Sequence, residues 1–444
     1  MSKFLILGSG FVAEPALEYL YRNSNNLMTI AGFDWSETQQ LSSKFNSVSC
    51  ESIDVTNKKA LRELIQDFDV VLSLVPASMH QLIAEVCILQ KTHLVTASYE
   101  TPAMKNLHEK AKKAGICILN EIGLDPGIDH LAAMEIIDKV QAKGETIESF
   151  VSWCGGIPAA EDNDNPLGYK FSWEPKGAIK VLQNDAVYQH NNQEIKINGR
   201  DLMTWANAIE IDGLELECYP NRNSINYKDI YGIQSAHDII RGTLRYAGFC
   251  HYFQAIKDLG LMQETGFETH ENLSWKEYIL NLNDSQQLTD IEEKISPISF
   301  QALHWLGCFS GSEYVTPNKP PLDCLCDLLL KKLQYKNNEK DMVVLQHKFV
   351  IKKSDGSRYF ISSVLKEMGN PNGYSAMAKT VGYPVAMAAE LIADRTIQSK
   401  GVVLPVTKEI YQPLLKLLKK ENIIFQETLI TEKELSVENF LQEI

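Results

Sequence analysis

Four apolar residues, Phe4-Leu5-Ile6-Leu7, run directly into Gly8-Ser9-Gly10-Phe11-Val12-Ala13, and the helical spacing of Ala16, Leu17 and Leu20 follows. G-x-G-x-x-A between a buried strand and a helix constrains the fold more tightly than any other feature of the chain. Gly8 permits a tight turn, Gly10 lets a pyrophosphate approach the backbone, and the small Ala13 lets the helix pack close to the strand. The helix start, with Ser9, Phe11 and Val12 in the loop before it, offers unpaired N–H groups and a positive dipole end to phosphates. The stretch is expected to cradle a dinucleotide.

The alternation then continues. Strand-like runs at 28–33, 47–53, 69–76, 92–97 and 117–119 are separated by helical patterns near 57–66, 80–90 and 102–114. Strands alternating with helices of this length mean βαβ units and a parallel sheet. Right-handed crossovers bring the strand ends to one ligand-binding edge. Val75-Pro76, Ala97-Ser98-Tyr99 and Leu124-Asp125-Pro126 fall on that edge and are expected to line the nicotinamide end. Asp34 closes the second strand and Asp54 the third. A carboxylate at Asp34 accepts hydrogen bonds from ribose hydroxyls and repels a 2′-phosphate, and no Lys or Arg follows before Lys44. NAD is therefore expected over NADP; the rival reading of Asp34 is a simple cap on a helix starting near Ser36.

Asn120-Glu121-Ile122-Gly123-Leu124-Asp125-Pro126-Gly127-Ile128-Asp129-His130 is the seam of the chain. Pro126 and Gly127 force a turn, so three carboxylates and a histidine gather at the end of the sixth strand. Beyond it the pattern changes. A strand at 148–154 reads as ending in a glycine-rich turn, Cys154-Gly155-Gly156-Ile157-Pro158. Residues 163–173, polar and then aromatic, look like a binding loop, and a packed surface loop reads the same way. Strands are expected at 195–198 and 213–219, the second leading into Tyr219-Pro220-Asn221-Arg222. From Ser235 the pattern reads as helical, with Arg241 and Arg245 four apart on one face. Residues 251–339 read as a helical subdomain. Strands return at 342–351 and 357–364, joined by an Asp-Gly hairpin turn. A small-residue helix at 374–394, interrupted at Gly382-Tyr383-Pro384, rejoins the first domain in this reading. The last 40 residues fit an edge addition to a sheet. The expected architecture is α/β: a Rossmann-like parallel-sheet domain (1–130, completed by about 385–444) and a second α/β domain for substrate and dimerisation (131–250 and 340–384). The helical subdomain is inserted in the second.

Charge and cysteine usage narrow the function class. Across 444 residues the net charge is −14, which argues against nucleic acid and anionic membrane surfaces as partners. No run approaches the ~18 apolar residues of a membrane span, and the apolar part of the N-terminus is too short for a secretory signal. A cytoplasmic protein is expected. The nine cysteines show no framework spacing and read as reduced thiols. Cys324-Leu325-Cys326 lacks a second pair or histidines at ligand spacing, so no metal is expected.

Together these motifs, with Thr96-Ala97-Ser98-Tyr99 and Arg241-Gly242-Thr243-Leu244-Arg245-Tyr246, resemble the L-glutamate-forming saccharopine dehydrogenase (saccharopine reductase) family over nearly the whole chain. The resemblance looks closest to the dehydrogenase half of the fused aminoadipic semialdehyde synthase, without its ketoglutarate reductase half. It implies NAD-dependent oxidation of saccharopine to glutamate and 2-aminoadipate 6-semialdehyde, or the reverse, in lysine metabolism by a homodimer. It further implies carboxylate recognition by Arg222 and Arg245, with Thr243 and Leu244 nearby and Arg241 a lesser candidate. Ser98, Tyr99 and Asp125 stand beside them for substrate binding. Proton transfer is expected from Asp125, Tyr99 and Cys154, with Asp125 alternatively binding the substrate ammonium or the nicotinamide carboxamide. Two rival readings are a carboxynorspermidine or homospermidine-type dehydrogenase, against which the two arginines argue, and a non-catalytic NAD-binding relative.

Overall fold

Strands rich in β-branched and leucine residues, buried on both faces, form a parallel sheet when helices cover it on either side. The chain does this from its first residues. A computed structural model describes residues 1–173, 175–266 and 269–444, which fold as two units. The first comprises 1–144 and 373–426. Its strands are β1 (Ser2–Leu7), β2 (Asn26–Gly32), β3 (Ser49–Ser52), β4 (Val70–Ser73), β5 (His93–Val95) and β6 (Cys117–Leu119). A seventh, Gly401–Val403, arrives from far down the chain and pairs with β6. All pairings are parallel, in the order Gly401–Val403, β6, β5, β4, β1, β2, β3. The strand order reverses between β1 and β4, where such sheets bind ligands.

Helices α1 (Ala13–Tyr21), α2 (Trp35–Ser42), α3 (Lys58–Ile65), α4 (His80–Gln90), α5 (Pro102–Lys105), α6 (His108–Ala114) and α7 (Ile128–Gln141) follow in turn. The small-residue segment is one helix, Ala376–Ala393, with Pro384 inside it rather than an interruption. It packs against α1 because Gly382 has no side chain: a Cβ there would stand 2.7 Å from the Val12 carbonyl oxygen.

The second unit, 145–372 with 427–444, is built on a mixed sheet. Its strands are β7 (Thr146–Pro158), β8 (Ala186–His190), β9 (Gln193–Ile197), β10 (Asn207–Ile211), β11 (Leu214–Pro220), β12 (Asp238–Tyr246), β13 (Asp341–Lys352) and β14 (Arg358–Met368). The main path is β10, β11, β12, β7, β13, β14 and then Gln426–Thr431, with β8 and β9 off β12. Only β12 and β7 of the six central strands run parallel to each other. The helical segment forms a second apolar core with Tyr169 and Phe171, including Phe249, Phe253, Trp275, Tyr278 and Leu325.

Several expectations are corrected here. The first unit keeps α7 and residues 373–384, and gives up 427–444 to the second. Residues 238–246 are a strand, not a helix, because Ile240 and Leu244 alternate with Arg241, Thr243 and Arg245 between two partner strands. Cys154-Gly155-Gly156 lies inside β7 and is no turn; a Cβ on Gly155 would stand 2.6 Å from the Leu244 carbonyl oxygen, so the glycine serves close strand contact. Within 163–173 the packed reading describes 167–171: Leu167, Tyr169 and Phe171 are buried, and buried Lys170 reaches Asp164 and Glu339, each at 2.7 Å. Within the expected 251–339 subdomain, Phe267 and Glu268 lie outside the described residues.

Candidate functional site

The cradle after β1 has the geometry its glycines imply. Gly8 sits at φ +110°, and a Cβ there would stand 2.9 Å from the Leu74 carbonyl oxygen, just past β4. Gly10 is different. Its backbone is not left-handed and nothing among the described residues lies within 4 Å of a Cβ built on it, so neither strain nor their packing calls for glycine there. The open space suits a pyrophosphate lying against the backbone. Among the described residues no side chain caps the first turn of α1; the Ala13 N–H is taken by the Gly10 carbonyl at 2.9 Å and Pro15 carries none, which leaves the Glu14 N–H to an anion. Ser9 and Val12 are half-buried and Phe11 is exposed along this loop. These residues fit a dinucleotide.

Asp34 does cap a helix. Its carboxylate accepts from the Glu37 N–H at 3.0 Å at the start of α2, while Glu37 itself accepts from the Ser9 hydroxyl at 3.3 Å. The rival reading of Asp34 thus describes one of its oxygens and leaves the other available. Asp54 closes β3 beside it, exposed, accepting from the Thr56 N–H and hydroxyl, which pull its carboxyl below the usual range.

Further along the edge, Val75, Ala97, Ser98 and Tyr99 are half-buried beyond β4 and β5. The seam folds back on itself. Gly123 donates to the Pro126 carbonyl at 2.9 Å, Ile128 donates to the Gly123 carbonyl at 2.9 Å, and Asp125–Pro126 is cis. Gly127, at φ +148°, leaves no room for a Cβ against Gly123. Leu124 and Pro126 are buried on either side of half-buried Asp125. Below the tip, fully buried His130 holds Glu121 at 2.8 Å, and Glu121 accepts from the Glu100 N–H at 2.8 Å. These bonds fix Asp125 where the Tyr99 hydroxyl donates to it at 3.0 Å. Tyr99 and Asp125, predicted separately, are brought together.

His80 was read only as the start of a helix. It is buried, with Ser73 Oγ at 2.9 Å from Nδ1, and Ser98 Oγ and Thr96 Oγ1 at 2.8 and 3.1 Å from Nε2. Burial pushes its pKa down to about 4. The available signal was Thr96 and Ser98, two apart past β5, level with Ser73 at the end of β4.

The remaining predicted residues belong to the second unit, on β7, β11 and β12. Cys154 is buried and stands in register with Thr243 on one side and Leu345 on the other. Thr243 and Arg245 alternate onto one face of β12, whereas Leu244 points into the apolar cluster with Val151, Trp153 and Ile240. The Leu244 carbonyl accepts from Arg245 Nη1 at 2.7 Å.

Arg245 is 6 % exposed, with its guanidinium 5.2 Å from the ring centres of both Tyr169 and Phe249. Among the described residues no carboxylate lies within ion-pair distance of it. Glu217, directly opposite in register, is spent on the Gly248 and Cys250 N–H groups that open helix Phe249–Asp258. Arg222 is not brought to Arg245. It is exposed past the end of β11, where Asn221 pairs with Arg241, four residues and about 13 Å along the strand from Arg245. Arg241 is buried under the Tyr227 ring at 4.1 Å.

Comparison with known proteins covers both units. Residues 4–119 match the saccharopine dehydrogenase NADP binding domain, and 123–424 match the saccharopine dehydrogenase C-terminal domain. The chain is 40 % identical to the saccharopine dehydrogenase [NADP(+), L-glutamate-forming] of Schizosaccharomyces pombe, over 98 % of this chain and all of that one. It is 40 % identical to the mitochondrial alpha-aminoadipic semialdehyde synthase of Mus musculus, over 95 % of this chain and 47 % of that one. The solved apo saccharopine dehydrogenase (L-Glu forming) of Saccharomyces cerevisiae superposes with a TM-score of 0.89 at 39 % identity, covering 97 % of this chain and all of that one. A dinucleotide cradle followed by a mixed-sheet unit, both matched in order and nearly end to end, makes this chain a member of the saccharopine dehydrogenase family.

Proposed function

We propose that the chain cleaves saccharopine oxidatively to L-glutamate and 2-aminoadipate 6-semialdehyde, or runs the reverse, with a pyridine dinucleotide. The observation that carries this reading is Arg245, a buried guanidinium with no carboxylate of the described residues to neutralise it. A buried charge without its counter-ion costs several kcal/mol. A substrate carboxylate supplies that counter-ion, and the planar fork accepts it bidentately. Saccharopine carries three carboxylates, so the second cationic point at Arg222 and Arg241, about 13 Å along the sheet, suits an extended anion. The names of the relatives support the same substrate.

The bound dinucleotide supplies the hydride acceptor. The chain's own work is proton transfer. The secondary amine must lose its proton so that its lone pair assists hydride departure; water then adds to the resulting imine and gives up a proton, and the nitrogen must gain one as the carbinolamine collapses to amine and aldehyde. The Tyr99–Asp125 pair and the Cys154 thiol are the groups we assign to these transfers.

We infer NAD as the preferred dinucleotide. Asp34 and Glu37 put two carboxylates at the end of β2, and Lys44, the first cation after it, is tied to Glu14 at 2.6 Å. The yeast relatives carry NADP(+) in their names, so the comparison of cofactors is decisive. The assay is formation of reduced nicotinamide with saccharopine, using NAD or NADP, with carboxynorspermidine as control. Saccharopine-dependent reduction of NAD is expected, and Asp34→Arg should shift preference toward NADP. Silence with both cofactors overturns the reaction. A wild-type preference for NADP overturns the role given to Asp34.

A further inference from the structure

A neutral imidazole has one N–H and one lone pair, so groups bonded to its two nitrogens take opposite roles. If Nδ1 donates to Ser73, Nε2 accepts from Ser98; in the other tautomer both directions reverse. His80 holds both hydroxyls in this way, at 2.9 and 2.8 Å, and is 3 % exposed. Its pKa near 4 keeps it neutral at physiological pH.

The three hydroxyls differ. Ser73 and Thr96 are buried, at 0 % and 1 %, and have no access to a ligand. Ser98 is half-buried on the strand-end edge, one residue before Tyr99, and His80 Nε2 is its hydroxyl's protein partner. Its own N–H is turned inward to Thr96 Oγ1 at 3.3 Å, and its carbonyl accepts from Glu121 N–H at 3.1 Å. Backbone and hydroxyl are therefore both fixed. A serine rotor free to turn loses that freedom when a ligand binds; one already held does not.

We propose that His80 is a positioning residue: it locks the Ser98 hydroxyl, and the direction in which that hydroxyl hydrogen-bonds, for the dinucleotide or the substrate at the sheet edge. The proposal rests on the reading of that edge as the ligand site. His80 touches no ligand itself. Its effect passes through Nε2 and Ser98, while the Nδ1 bond to Ser73 anchors the ring.

This separates two variants that a merely structural histidine would not. An asparagine amide reaches the Nδ1 position from the same backbone, and a glutamine amide reaches the Nε2 position. We expect Ser98→Ala to raise either the Kd for dinucleotide, read by fluorescence quenching, or the KM for saccharopine by about tenfold, equal to about 1.4 kcal/mol. His80→Asn should raise the same constant by a similar factor, with kcat less affected. His80→Gln should restore it to within about threefold of wild type, a loss of about 0.7 kcal/mol. Combined with Ser98→Ala, His80→Asn should add little, since both remove one interaction.

Equal effects of the two His80 variants, better binding by His80→Asn than by His80→Gln, or multiplicative effects in the double variant would overturn the proposal. So would unchanged binding in Ser98→Ala. If His80→Asn does not fold, His80→Gln with and without Ser98→Ala carries the same comparison. Failure of the underlying reading looks different: wild-type protein then turns over no saccharopine with either cofactor, while the His80–Ser98 coupling is still read in the dinucleotide Kd.

Discussion

Arg245 holds its charge where the protein gains little from it. Cation–π contact with the Tyr169 and Phe249 rings returns about 0.5 to 2 kcal/mol, less than the several kcal/mol that burying an ion costs. Arg245→Met keeps much of the volume and removes the charge. It should leave stability unchanged or raise it by about 1 to 4 kcal/mol while raising KM for saccharopine at least tenfold. Urea midpoint and KM measured on the same preparation check this. A clear fall in stability would make Arg245 a structural residue, and an unaltered KM would remove it from the site.

Two glycines of the cradle make opposite predictions because they serve different elements. Gly8 joins β1 to the loop at φ +110° under the Leu74 carbonyl, so Gly8→Ala is strained in backbone and contact alike. It should cost more than about 1 kcal/mol. Gly10→Ala meets nothing among the described residues and should fold as well as wild type, yet weaken dinucleotide binding. Thermal unfolding with and without dinucleotide tests both: Gly10→Ala should lose the ligand-induced rise in Tm with its basal Tm unchanged.

Acid stability belongs to the whole molecule, since it sums over every shifted group. His80 and His93, both in the first unit, are pushed from the ordinary 6.5 to about 4, His80 by burial and His93 by burial and then Lys400. Between those values the unfolded chain binds protons that the folded one refuses. Stability therefore falls as pH drops from about 6.5 to about 4, by on the order of 3 kcal/mol for the His80 ring and by less for His93, which solvent screens in part. Asp164, held down at about 2 by Lys170 and Lys336, loses its contribution only below about pH 3.8. Urea midpoints should decline in the first window, and His80→Gln should lessen the decline. A flat profile down to about pH 4.5 would contradict the burial of His80.

The sequence by itself determined the parallel sheet, the cradle and the seam, because each rests on local chemistry. A continuous apolar run reads as a buried strand, glycine spacing marks close backbone approach, and Pro126-Gly127 marks a turn whatever surrounds it. Five things were decided only by tertiary structure. Residues 238–246 became a strand because spacing of four falls on one side of both a helix and a strand, and only pairing with β7 and β11 separates them. That same pairing turned Leu244 into the core and left Arg245 facing the other way. Glu217 was drawn off to a helix start, which left Arg245 without an acid among the described residues. The chain ends divided between two sheets, because an edge strand joins whichever edge offers unpaired N–H and C=O groups. His80 met Ser98 because βαβ crossovers set β4 beside β5, and side chains distant in sequence then share one edge.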